Sequence, residues 1–214
     1  IKGKDNYLPH LLGHEGIGTI VNVYHGSTKF SVGERVVAHW MPSTGLQMPP
    51  IKYKSKTFGS VNAGPIALFS EYAIISENRL TRLHSELSLD IFSTLGCGLL
   101  TSYGVLKNDL EIDSKCNNHI LILGFGGIGQ LLYLIASKIT NSEFTILEIK
   151  PSLVEAAKEF GINNVCRNIE ELKKGPYTHV IDTTGIPKVI EAGFDSMSNS
   201  SKMCLVGVTK KGLN

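Results

Sequence analysis

Residues able to do chemistry fall in three places along this chain of 214 residues. Gly124-Phe125-Gly126-Gly127-Ile128-Gly129 follows the apolar run His119 to Leu123 and opens a stretch of helical periodicity, and Glu148 stands nineteen residues after Gly129. A G-x-G-x-x-G turn between strand and helix suits the pyrophosphate of a dinucleotide. Gly124 permits the tight turn, Gly126 lets the backbone approach the phosphates, and Gly129 lets the helix pack on the strand. Gly127 and Ile128 complete the segment at the helix N-terminus, where negative charge is favoured. A carboxylate at Glu148, ending the next strand, can accept from an adenosine ribose and would repel a 2′-phosphate, which points to NAD over NADP, with Lys150 close enough to weaken the repulsion. The other two places are Gly13-His14-Glu15-Gly16 and Gly96-Cys97-Gly98. A single His is more often a satisfied surface or core residue than a ligand, and a free Cys is commonly a small buried hydrophobe, so neither segment alone establishes a role.

The elements that must position these groups differ between the two halves. From Asn117 onward strand and helix signals alternate: strand to Leu123, helix over Gln130 to Ser137, strand Phe144 to Leu147, helix Ser152 to Phe160 between Pro151 and Gly161, and a short strand Val165-Cys166. A polar helical turn over Ile169 to Lys174, strand Tyr177 to Thr183, helix Pro187 to Met197 and strand Met203 to Val208 complete the series. Such alternation predicts a parallel sheet with helices on both faces. Ile120 to Ser137 is uncharged over eighteen residues, yet its central glycines and its change of period argue for a buried strand entering a helix rather than a membrane span.

In the first half, Ile17 to Tyr24 and Arg35 to Trp40, joined through Gly26-Ser27 and Val32-Gly33-Glu34, read as antiparallel strands, and Leu68 to Ile75 continues the pattern. Met41 to Gly64, with three prolines and no clear period, reads as an external loop or lobe. Ser88 to Lys107 looks helical but broken at Gly96-Cys97-Gly98, and the domain junction is expected there. That gives a β-rich unit over 1–96 and an α/β cofactor unit over 97–214, with reactive groups expected in the cleft between them.

A formal charge of +2 gives no reason to expect nucleic acid or an anionic membrane as partner, so small metabolites are the default. Cys97, Cys116, Cys166 and Cys204 are far apart with no C-x-x-C pair, which argues against a disulfide framework or a four-cysteine zinc site and fits a reducing cytoplasm.

The stretches Pro9-His10-Leu-Leu-Gly-His-Glu-Gly16, Lys29-Phe30-Ser-Val-Gly-Glu-Arg-Val-Val37 and Gly96-Cys97-Gly98-Leu-Leu-Thr101-Ser-Tyr103-Gly104, followed by the glycine turn, resemble the zinc-dependent medium-chain alcohol dehydrogenases in order and spacing. The resemblance covers almost the whole chain. It implies a Rossmann-type, doubly wound parallel sheet preceded by a β-rich GroES-like catalytic domain. It also implies one catalytic zinc held by His14 and Cys97, with Glu15 as the carboxylate that joins or exchanges with bound water; a thiolate and an imidazole suit zinc better than magnesium or calcium. By position, Thr101, Val206 and Val208 match residues beside the nicotinamide, and Thr183 and Thr184 match residues beside the cofactor ribose. Trp40 matches an aromatic wall of the substrate pocket, with ordinary core packing as its alternative. The activity implied is hydride transfer between NAD and an alcohol, polyol or sugar-like substrate, by a homo-oligomer when full-length.

Departures from the pattern carry expectations of their own. No Cys precedes His14, and the series stops after the fifth strand, so both domains are expected to be parts of a longer protein. Met41 to Gly64 holds no Cys where many relatives have a structural-zinc lobe, so one zinc at most is expected. Two alternatives stay open: a zinc-free quinone or enoyl reductase of the same superfamily, and a non-catalytic nucleotide-binding protein.

Overall fold

The computed structural model describes residues 7–84, 92–114 and 118–209. Cys116 and the opening of the helix expected over 88–107 lie outside the described residues. The chain divides into two compact units, Ile1–Cys97 and Gly98–Asn214.

The first unit contains β1 (Gly16–Thr19), β2 (Arg35–Ala38), β3 (Ile51–Ser55), β4 (Gly59–Gly64) and β5 (Leu80–Arg82). β2 is central to an antiparallel three-stranded sheet, with Ile17 opposite Val37 and Val37 opposite Thr81. Val36, Ala38 and Leu80 bury against Phe30 and Ile66, with Ile20, Leu68 and Ile75 packed around them. The antiparallel pair read from the sequence is present but shorter. Val21 and Tyr24 point largely into solvent, and with little apolar area to bury beyond Ile20 the ladder stops.

Two expectations for this unit fail. Leu68 to Ile75 is not a strand, because its N–H groups find other acceptors: Leu68 donates to Leu12 and Gly13, Ser70 to Leu68, and Ile74 to the Tyr53 hydroxyl. Met41 to Gly64 is not wholly irregular either. β3 and β4 form an antiparallel hairpin in which Ile51, Tyr53 and Ser55 are half-buried while Lys52 and Lys54 are exposed, a period of two that the prolines before it obscure.

Residues Leu95–Leu99 are π-helical, followed by α1 (Leu100–Gly104) and a second π-helical segment, Val105–Asp109. The expected break at Gly96-Cys97-Gly98 is therefore absent. Gly96 serves close approach instead: a Cβ there would lie 2.1 Å from the Ala38 carbonyl oxygen.

The second unit continues with β6 (His119–Leu123), α2 (Gly127–Ile139), β7 (Glu143–Leu147), α3 (Pro151–Glu159), β8 (Asn164–Cys166), β9 (Tyr177–Asp182), α4 (Pro187–Asp195) and β10 (Met197–Leu205). The five strands form one parallel sheet in the order β10-β9-β6-β7-β8. Ile120, Ile122, Ile146 and Ile181 pack on one face with Leu132 and Ala136 of α2 and Ala157 of α3. Leu121, Leu123, Leu147 and Val180 pack on the other with Val189 of α4. Burial on both faces explains why His119 to Leu123 reads as a continuous apolar run. The eighteen uncharged residues divide between β6 and α2, and among the described residues no helix is long and apolar enough to cross a membrane.

β10 starts earlier than expected, at Met197, with an irregular register before Lys202. It ends at Leu205, leaving Val206 to Val208 beyond the sheet. The polar helical turn is confined to Ile169–Glu171.

Candidate functional site

The chain builds β7 and β8 to one side of β6 and then returns to place β9 and β10 on the other. The connections leaving the C-terminal ends of β6 and β9 therefore diverge, which opens a crevice of the kind where α/β sheets bind nucleotides. The predicted cofactor residues gather at this rim. Gly124, immediately after β6, has φ +91°, and its N–H donates to the Leu147 carbonyl at 2.8 Å. Gly129, in the first turn of α2, lies so close to the preceding turn that a Cβ would sit 2.2 Å from the Gly124 carbonyl oxygen. At Gly126 and Gly127 a Cβ would meet no protein atom within 4 Å, so their lack of side chains leaves space rather than permitting packing. No side chain caps α2 at Gly126, and the first N–H groups of the helix, those around Gly127 and Ile128, stay available to an anion.

Glu148 holds this turn in a way that spacing alone did not reveal. One carboxylate oxygen accepts from the Phe125 N–H at 2.8 Å and the other from the Lys150 N–H at 2.9 Å, and the residue is buried. Phe125 is itself fully buried, edge-on to Tyr133 and Phe160. Thr183 is similarly committed: its hydroxyl donates to the carbonyls of Leu123 at 2.9 Å and Gly124 at 3.2 Å. Asp182, fully buried and overlooked in the sequence, accepts from the Thr184 N–H and hydroxyl and from the Gly185 N–H. An Asp ahead of Thr-Thr-Gly is a turn signal that could have pointed to it. Val206 and Gly207 donate to the Asp182 carbonyl, and the Val208 carbonyl comes so close to Gly185 that a Cβ there would clash. Val208 is almost wholly exposed. Thr101 lies on α1, which packs beside α2.

In the first unit, His14 is exposed, while Glu15 and Cys97 are half-buried. Their segments meet: a Cβ on Gly96 would lie 3.2 Å from the Glu15 Cβ. Among the described residues, however, no three His, Cys, Asp or Glu side chains are grouped so as to hold one metal ion. Trp40 follows β2 and is half-exposed, with the Arg79 guanidinium over its ring at 5.5 Å. The lobe that follows is tied down by Glu77, whose carboxylate accepts from the Leu46 N–H at 2.9 Å, the Ser27 hydroxyl at 2.5 Å, and the Lys29 and Thr28 N–H groups at 2.8 and 3.2 Å. These donors, the Leu46 N–H first, hold the Glu77 carboxyl well below the usual carboxylate range, at about 2.

Residues 1–85 match the alcohol dehydrogenase GroES-like domain. Class-3 alcohol dehydrogenase of Drosophila melanogaster is 24% identical over 216 residues, covering 89% of this chain and 55% of that protein. The chain is thus similar to the alcohol dehydrogenases, through this domain and over most of its length. Among solved structures, benzyl alcohol dehydrogenase from Acinetobacter calcoaceticus superposes with a TM-score of 0.78 at 24% identity, over 97% of this chain and 64% of that one. The CurF ER cyclopropanase of curacin A biosynthesis superposes with a TM-score of 0.72 at 20% identity, over 94% of this chain and 55% of that one. These likenesses show a GroES-like domain followed by a Rossmann-type α/β domain. The chain spans little more than half the length of its Drosophila relative.

Proposed function

We propose that the chain carries the GroES-like and dinucleotide-binding domains of an oxidoreductase that moves a hydride between NAD and an alcohol, polyol or sugar-like substrate. The observation that carries this reading is the shape of the glycine turn. Gly124 and Gly129 are glycine because the protein itself fills the space, whereas Gly126 and Gly127 face open space beside an uncapped helix N-terminus. A pyrophosphate fits such a cradle. Gly126, Gly127 and Ile128 would offer backbone N–H groups to it. When bound, the nicotinamide ring supplies the hydride acceptor or donor. Glu148 keeps the turn in place through Phe125, and a carboxylate at this strand end would repel a 2′-phosphate, which supports NAD as the cofactor. Thr183 and Asp182 hold the neighbouring strand ends, and Thr184, Val206, Val208 and Thr101 would border the ribose and nicotinamide.

The zinc part of the proposal rests on the donor types of His14, Glu15 and Cys97 and on the meeting of their segments. Among the described residues these side chains are not grouped as a three-donor site. This same arrangement favours a second reading, a zinc-free reductase acting on a quinone or enoyl group. Cys97, Cys166 and Cys204 are free thiols, in keeping with a reducing cytoplasm.

Titration with NADH and NADPH followed by reduced-cofactor fluorescence, together with zinc content by elemental analysis and an alcohol panel, tests the proposal. NADH binding with about one zinc per chain and alcohol turnover supports it. NADH binding without zinc but with enoyl or quinone reduction selects the second reading, and loss of nucleotide binding altogether refutes both.

A further inference from the structure

Among the described residues of the first unit, two arginines lie over aromatic rings and one of them pairs with a carboxylate. Arg82 sits over Phe30 at 5.5 Å and bonds both oxygens of Glu34, at 3.1 and 3.0 Å. Arg79 sits over Trp40 at the same distance, but among the described residues no carboxylate pairs with it. Its Nε is buried with no hydrogen-bond partner, and among the described residues no group bonds its terminal nitrogens. A guanidinium in this condition retains unmet capacity for an anion.

The backbone holds the pair in place. The His39 N–H donates to the Arg79 carbonyl at 3.0 Å, extending the β2–β5 ladder by one residue, and the Arg79 N–H donates to the Ser76 carbonyl at 2.9 Å. The buried His39 ring braces the same corner, with Nδ1 donating to the Met41 carbonyl at 2.6 Å and Nε2 bonding the Thr81 hydroxyl at 2.9 Å. Trp40 is thus fixed between two tethered neighbours, with one face under a cation and about half of its surface open (49%).

We infer that Arg79 and Trp40 form an anion-recognising pair, so that the substrate is an alcohol also bearing a carboxylate or phosphate group, its carbon skeleton against the indole and its anion on the guanidinium. This rests on the reading of Trp40 as a wall of the substrate pocket. Planar, bidentate recognition of carboxylate or phosphate is what a guanidinium does better than an ammonium.

The chain has one tryptophan, so Trp40 emission reports binding at this place without cofactor or metal. The 214-residue chain is titrated with benzyl alcohol, para-(hydroxymethyl)benzoate and inorganic phosphate, with sodium chloride matched for ionic strength. The carboxylate probe should bind about tenfold more tightly than the neutral alcohol, the difference expected of one charge-assisted contact. Arg79→Gln should erase that difference, and Arg79→Lys should keep part of it. Competition by phosphate identifies a phosphate-bearing substrate, and its absence a carboxylate-bearing one. Equal affinity for the charged and neutral probes, failure of either to bind, or a response reproduced by chloride overturns the inference, as does a preference that survives Arg79→Gln. Should that variant fail to fold, an undiminished preference in Arg79→Lys overturns it equally. Because no turnover is measured, loss of alcohol oxidation would count against the dehydrogenase reading alone, and loss of the anion preference in an active enzyme against this inference alone.

Discussion

Replacing Glu77 by Gln should destabilise the first unit by an amount that depends on pH. In the native fold one carboxylate oxygen takes the Ser27 hydroxyl and the Thr28 and Lys29 N–H groups, and the other takes the Leu46 N–H. A glutamine keeps the shape but turns one oxygen into a donor, so whichever way the amide is set, donor faces donor on one side. A carboxyl moved from 4.5 to about 2 stabilises the fold by about 3 kcal/mol at neutral pH. Part of that attraction is screened by nearby water, and a loss of about 2 kcal/mol is the working figure. For a chain of this size it lowers Tm by about 4–8 °C. Because the folded value is depressed, the stabilisation is complete above about 4.5 and disappears as pH falls through about 2. Thermal and urea unfolding of wild type and Glu77→Gln from pH 7 to pH 3 should show the two curves converging as pH falls. A difference that stays constant across this range, or that is below about 0.5 kcal/mol at pH 7, would show that the charge of Glu77 does not hold the lobe.

The two kinds of glycine in the turn should separate by mutation. Gly126→Ala, at an ordinary φ of −69° with no protein atom nearby, should leave Tm within about 1 °C yet weaken NADH at least tenfold, whereas Gly129→Ala should lose both stability and binding through its clash with Gly124. An undisturbed NADH affinity in Gly126→Ala would remove the pyrophosphate from this turn. The ratio of NADH to NADPH affinities should be at least tenfold in the wild type and should narrow in Glu148→Ala, which should also weaken both nucleotides because Phe125 and Lys150 lose their acceptor. Cys97→Ala should abolish zinc uptake and turnover while NADH affinity, measured by fluorescence, stays within about twofold; full activity in that variant would exclude Cys97 as a ligand.

What the sequence determined is what a short stretch of chain settles by itself. Gly124 to Gly129 must turn tightly after an apolar strand and before a helix, and the positive φ at Gly124 and the contact at Gly129 are local consequences of that requirement. The apolar run His119 to Leu123 likewise implied a strand covered on both faces, because only burial on both sides accounts for the absence of alternation. Legibility failed where local signals were weak or in conflict. β5 is three residues long, β3 was hidden behind prolines, and Leu68 to Ile75 had strand-like composition but spent its N–H groups elsewhere. Only the tertiary structure decided what depends on groups distant in sequence. The order β10-β9-β6-β7-β8 sets the crevice between β6 and β9. Glu148 and Thr183 grip a turn 23 and 59 residues away. Gly96 lies against Ala38 and Glu15, and Arg79 lies over Trp40. Residue type states what each of these groups could bond; only the packing of strands from different parts of the chain determines which partner comes within reach.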